Sequence, residues 1–195
     1  MDCPPRNGHS NPHWQSDGSY MGTLSDGGSY RIPARALNIV WGNDPRYWQW
    51  IQLREEESRL VGFKEGAMLI QVNWIQMTMS LDLSVLKVSM KYTIYYIVKF
   101  KADAFGWHSA PIKFKVKMNG EKERVQSIVL QPYREKQEEW HKIYGGEFWV
   151  SKDITTTTTT GNNHGHVEFG MFEIDTDWWK GGMVLAGIVI EPKVC

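Results

Sequence analysis

Alternation constrains this chain more than any other feature. In MLIQVNWIQMTMSL, residues 68–81, one side of an extended chain carries Leu69, Gln71, Asn73, Ile75, Met77 and Met79, and the other carries Met68, Ile70, Val72, Trp74 and Gln76. A period of two belongs to a strand and not to a helix. ALNIVW sets Leu37, Ile39 and Trp41 on one side in the same way, and KYTIYYIVKFK, APIKFKVKM, VQSIVLQPY, HVEFGMFEI and MVLAGIVIEP continue the series, spaced by turns such as MNGE and GG. These runs are dense in β-branched and aromatic residues. Only REEESRLVGFKE and REKQEEW look helical; both are short charged runs that read as solvated loops or single exposed turns. The expected fold is all-β, an antiparallel β-sandwich.

The chain of 195 residues, 42% hydrophobic, is long enough to bury a substantial core and suits one large domain. Residues 1–28 are rich in Gly, Ser, Asn, Pro and Asp and offer little to bury, which predicts a flexible N-terminal tail ahead of a domain over 29–195. The six threonines at 155–160, before GNNHGH, predict a long exposed loop. No run approaches the ~18 apolar residues of a membrane helix, and MDCPPRNGHS lacks the basic start and apolar stretch of a secretory signal. Cys3 and Cys195 are the two cysteines and no Asn-x-Ser/Thr acceptor is present, so a reducing cytosolic or nuclear compartment is expected. The terminal thiols leave open a bridge within the chain or a crosslink between chains. Basic and acidic residues number 22 each, giving zero net charge and no field that would draw the chain to a polyanion.

The local signatures of catalysis are missing. There is no phosphate-binding loop, zinc-protease helix, nucleophile elbow or cysteine pair, so no enzyme and no cofactor is expected. Glu147, Glu168, Glu173 and Asp175 could supply a glycosidase-like pair only if the fold brought two of them together. The HGH at 164–166 offers two metal ligands, but beside Asn162 and Asn163 it reads as a solvated turn, and no metal is expected.

What is unusual is aromatic residues beside turn formers. The stretch WGNDPRYWQW, residues 41–50, holds four large aromatics among Gly, Asn, Asp and Pro, and Trp178 and Trp179 lead directly into KGG. Trp50 and Trp74 sit inside alternating runs and read as core. Sugars explain the others: a pyranose presents a C–H face to an aromatic plane and a hydroxyl edge to carboxylates and amides such as Asn43, Asp44, Glu173 and Asp175. Trp41 either closes the Leu37 and Ile39 stripe or faces a ligand. Tyr47 and Trp48 point to opposite faces if extended, so at most one is buried, and Trp48 is read as the exposed one. Glu173 is either a ligand acceptor or an anchor to turn amides.

YRIPARALNIVWGNDPRYWQW, EGAMLIQVNWIQM, GWHSAPIKFKV, WHKIYGGEFWV and VEFGMFEIDTDWWKGGMVLAGIVIEPK together resemble, in order and spacing, the plant phloem protein 2 lectins, also called the Nictaba family, from about Tyr30 to Lys193. The resemblance implies a jelly-roll β-sandwich that binds N-acetylglucosamine oligomers (chitin oligosaccharides) and N-glycan cores, without catalysis or metal. It is similar to the small cucurbit phloem-sap lectins. Carried over residue by residue, it implies sugar binding for Trp41, which closes L-x-I-x-W, for Trp48 in YW-x-W, and for Glu173 in M-x-E-I. A second family carboxylate falls on His166, a departure that removes a charged acceptor.

The expected site is therefore a shallow one at one end of the sandwich. Trp41 or Trp48, with Tyr47, stacks on sugar faces, while Asn43, Asp44, His166 and Glu173 bond acetamido and hydroxyl groups. Stacking of ~1–3 kcal/mol per ring, by analogy with nucleobases, gives modest affinity, so an extended ligand, or a homodimer rather than a monomer, is needed for avidity. Trp48→Ala is expected to abolish retention on chitin while leaving the fold intact. The competing reading is an RNA or ribonucleoprotein carrier, since YTIYYIVKFK and KFKVK interleave aromatics with lysines; alternation explains the same lysines as a solvent face.

Overall fold

The computed structural model describes residues 11–119, 121–152 and 165–193. The threonine run and both cysteines lie outside the described residues. The strands are β1 (Thr23–Leu24), β2 (Tyr30–Pro33), β3 (Asn38–Ile39), β4 (Trp48–Gln52), β5 (Glu65–Leu69), β6 (Ile75–Asp82), β7 (Met90–Phe105), β8 (Ile112–Met118), β9 (Arg124–Ile128), β10 (Trp140–Val150), β11 (His166–Glu173) and β12 (Gly181–Lys193). Two short helices are α1 (Glu55–Val61) and α2 (Gln131–Arg134). No helix among the described residues is long and apolar enough to cross a membrane.

Two antiparallel sheets form the sandwich. One orders its strands β3-β6-β11-β8-β9; the other runs β10-β7-β12, with both β2 and β5 against the far side of β12, β1 beyond β2 and β4 beyond β5. The pairs β5 with β12, β6 with β11, β7 with β10 and β8 with β9 are nested, first strand with last and so inward. Nested pairs distributed over two facing sheets are a jelly roll. The alternation expected along the chain fixes which side faces in: Tyr92, Ile94, Tyr96, Val98 and Phe100 of β7, Ile112, Phe114, Val116 and Met118 of β8, and Val167, Phe169 and Met171 of β11 all join one core. Each is removed from water on a strand whose other residues face out.

Several expectations meet a different outcome. The 68–81 run is not one strand, because β5 and β6 belong to different sheets and residues 70–74 cross between them. Trp74, expected in the core, lies on that crossing and is 41% exposed. The charged run at 54–65 contains a two-turn helix, α1, which lies on the outer face of the seven-stranded sheet. There Val61 packs with Phe63, Ile97, Ala186 and Val189, partly covered by Leu53 and Trp140. Its acidic first turn suits the positive end of the helix.

The expected tail also divides differently. Residues 1–10 lie outside the described residues, but from residue 11 the chain is a strap laid along the sandwich. Trp14 exchanges backbone hydrogen bonds with Ile39 at 2.9 and 2.8 Å, and its indole donates to the Arg35 carbonyl at 3.0 Å. Its ring meets the edge of Trp50 at 5.2 Å, with the Arg35 guanidinium 4.2 Å from the centre of the Trp50 ring. One large aromatic thus gives this polar segment its main apolar contact with the sandwich.

Candidate functional site

Strand order aligns the loops at one end. The 40–47 segment joins β3 to β4, 70–74 joins β5 to β6, 174–180 joins β11 to β12, and 106–111 joins β7 to β8. The strands they leave run β3-β6-β11-β8 in one sheet and β4-β5-β12-β7 in the other, so the loops cross this end side by side in that order. Contacts tie each to the next. Ile70 N–H donates to the Tyr47 carbonyl at 2.8 Å, Val72 and Lys180 exchange backbone bonds, and the His108 and Trp178 rings meet at 5.9 Å.

On the first loop, Trp41 leaves the buried Leu37 and Ile39 stripe. Its φ is +64°, unusual for a bulky residue, and it stands 36% exposed. Its N–H donates to His13 Nδ1 at 3.0 Å, and the two rings lie 4.9 Å apart. On the other side of it, Tyr47 is half-buried with its ring at 5.7 Å. Asn43 donates both amide hydrogens to the strap, to the carbonyls of Asn11 and His13, each at 3.0 Å. Asp44 accepts from the Arg46 backbone N–H at 3.0 Å and from its guanidinium, at 2.6 Å from Nη2, and these bonds hold its carboxyl below the usual range. Asn43 and Asp44 thus shape the turn that presents Trp41 and Tyr47.

Trp48, expected to be exposed, is in the core at 3% exposure, paired opposite Leu69, and its indole N–H has no partner among the described residues. It offers no plane to solvent. The reason is register: Tyr47 closes the turn, so the next residue, first in β4, points inward.

Glu173 is at the same end but 1% exposed. Its oxygens accept from the backbone N–H groups of Asp175 and Thr176 at 3.2 and 3.1 Å and from the Thr176 hydroxyl at 3.1 Å, and it is ion-paired with buried Lys180. Lys180 also donates to the Trp178 carbonyl at 2.7 Å. Of the two readings of Glu173, the bonds match the anchor to turn amides.

His166 is not with these residues. It opens β11 opposite Asp82, whereas Glu173 closes β11 opposite Ile75, so roughly 23 Å of strand separates them, and their side chains leave the sheet on opposite faces. His166 meets Glu168 at 3.3 Å on the solvent face. Among the described residues no group of three or more His, Cys, Asp or Glu could hold a metal.

Sequence reasoning missed three contributors at this end. Trp74 reads as core and His13 as part of a tail, and nothing in WWKGG marks Lys180 as the fully buried residue it is. Of these only Trp74 carried a usable signal, the Asn73 before it.

A family described as Phloem protein 2 matches residues 27–192. Among curated relatives, Protein PHLOEM PROTEIN 2-LIKE A5 of Arabidopsis thaliana is 29% identical over 88% of this chain and 39% of its own length. Putative F-box protein PP2-B6 of the same plant is 28% identical over 84% of the chain and 54% of its length. A protein named Lectin from Luffa acutangula is 30% identical over 84% of the chain and 70% of its length. The chain thus spans about two-fifths to three-fifths of the first relatives it matches.

Proposed function

This chain belongs to the phloem protein 2 family, and from that premise we propose that it is a non-catalytic carbohydrate-binding protein of phloem sap, recognising N-acetylglucosamine oligomers and N-glycan cores. The observation that carries the reading is the exposed Trp41 beside Tyr47 on a turn braced by Asn43 and Asp44. A rigid, half-exposed aromatic pair with polar groups at its rim suits the C–H face and hydroxyl edge of a pyranose. The Luffa relative named Lectin supports the same class. In this reading Trp41 stacks on the sugar and Tyr47 flanks it. The carbonyl oxygen of Asn43 and the carboxylate of Asp44 accept from hydroxyl or acetamido groups. Trp48 supports the turn from below, Glu173 acts through the neighbouring loop, and His166 stands outside the site.

The lysines do not favour a nucleic-acid carrier. Lys99 faces out from the seven-stranded sheet and is buried against Glu57, while Lys113 and Lys115 face out from the other sheet, paired with Asp175 and Glu123. The two runs therefore lie on opposite outer faces, largely neutralised, and form no single cationic track.

The test is a titration with N-acetylglucosamine oligomers, followed by tryptophan fluorescence and calorimetry at two salt concentrations. Saturable binding insensitive to salt supports the lectin; absence of binding to every oligomer overturns it. RNA binding that weakens steeply with salt would instead favour the carrier.

A further inference from the structure

Trp178 and Trp179 are consecutive and both on the surface, 53% and 46% exposed. Burial of one of two adjacent indoles is the ordinary outcome in a strand or its turn. Here both stand out from a loop that is held unusually firmly. Below it, Glu173 ties down the amides of 175 and 176, and Lys180 ties Glu173 to the Trp178 carbonyl. From the side, Gly106 approaches with φ +82°, where an added Cβ would stand 2.0 Å from the Trp179 carbonyl oxygen, so only glycine fits. Trp107 next to it is buried and donates to the Gly181 carbonyl at 2.9 Å, and His108 meets the Trp178 ring edge-on at 5.9 Å.

A loop backbone held in this way, with one indole against His108, has little ordering left to lose when a ligand arrives, a condition that favours stacking. The loop is also well placed. It lies two strand spacings from the 40–47 loop, about 10 Å across the end, comparable to two β-linked pyranose residues, and the exposed Trp74 lies on the loop between. Asp177 beside it is exposed and can accept from hydroxyl groups.

We infer that Trp178, flanked by His108 and Trp179, forms a second sugar subsite, taking a distal pyranose of the same oligosaccharide whose nearer residue stacks on Trp41. The inference rests on the carbohydrate reading above. It makes this end of the sandwich a platform for extended, β-linked chains, with length selection residing in the 174–180 loop.

The experiment compares the di- to hexasaccharide series of N-acetylglucosamine on the wild-type chain, on Trp178→Ala and on the Trp178→Ala/Trp179→Ala double variant, with thermal unfolding as a control for the fold. Expected is an affinity that climbs with length in the wild type, and a roughly tenfold loss in the variants confined to the longer oligomers, the disaccharide binding unchanged. A full length gain in the double variant overturns the subsite, as does an equal loss on disaccharide and hexasaccharide. A wild-type chain that binds the disaccharide with no gain from length overturns the subsite and leaves the lectin reading standing. No binding of any oligomer overturns both.

Discussion

Trp41 and Trp48 share one turn-rich stretch and end in opposite environments, 36% and 3% exposed. The neighbours that suggested exposure for both, Gly42, Asn43, Asp44 and Pro45, govern the backbone of the turn; they do not govern which way the first residue of β4 points. That is set by the Trp48 to Leu69 pairing, a contact over twenty residues of sequence. We expect Trp48→Ala to lower stability by about 3–5 kcal/mol, as truncating a large core aromatic does, measurable by urea unfolding, with any loss of chitin retention following from unfolding. Trp41→Ala is expected to leave the urea midpoint nearly unchanged and to abolish retention on the same column. Retention by a folded Trp41→Ala would remove that residue from the site. Glu173 teaches the same lesson: its residue type and the turn after it were legible, but its buried partner Lys180 was visible only in three dimensions.

At the scale of elements, strands were the legible part, because alternation is written locally, while α1 was not. Its EEESRLV sequence is charged enough to be a loop, and what makes it a helix with a place is the sheet beneath. Glu57 reaches down to Lys99 and accepts from the Trp140 indole at 3.2 Å. Burial pushes the Glu57 carboxyl up, but hydrogen bonds from Lys99 and Arg54 outweigh it and bring it down to about 2. A folded value below the ordinary 4.5 means the stabilisation is complete above pH 4.5 and is lost as pH falls through about 2. Lys99→Met removes the buried cation and leaves the Glu57 carboxylate to Arg54 and the Trp140 indole, and we expect a loss of about 3 kcal/mol at neutral pH. The deficit should shrink as pH falls and the carboxyl is protonated, which urea unfolding followed by circular dichroism at neutral and acid pH checks. The strap at 11–14 was illegible for a different reason: composition averages over a segment, and a few specific contacts, Trp14 foremost, hold this one. Because Asn43 donates two hydrogen bonds to it, Asn43→Ala should speed amide exchange at Trp14 and Ile39; unchanged protection there would show that Trp14 suffices alone.

Over the whole molecule, the zero net charge and the paired lysines predict that sugar affinity changes little between low and moderate salt, since hydroxyl contacts release no counterions. The order in which loops line up at one end was not in the sequence, because it follows from the nesting of strand pairs, and nesting is a property of the complete topology. That nesting also bears on how the protein comes into being. The last described strand, β12, lies in the middle of its sheet with β7 on one side and β2 and β5 on the other. Until residues 181–193 have left the ribosome, the seven-stranded sheet lacks its central member, and the pairs β1-β2, β4-β5 and β7-β10 have nothing to join them. Assembly must await nearly the whole domain and close its longest loops together, so refolding belongs among the slow, non-local β topologies, in the millisecond-to-second range. During synthesis the edges of β5 and β7 that β12 covers stay open to other chains until β12 emerges.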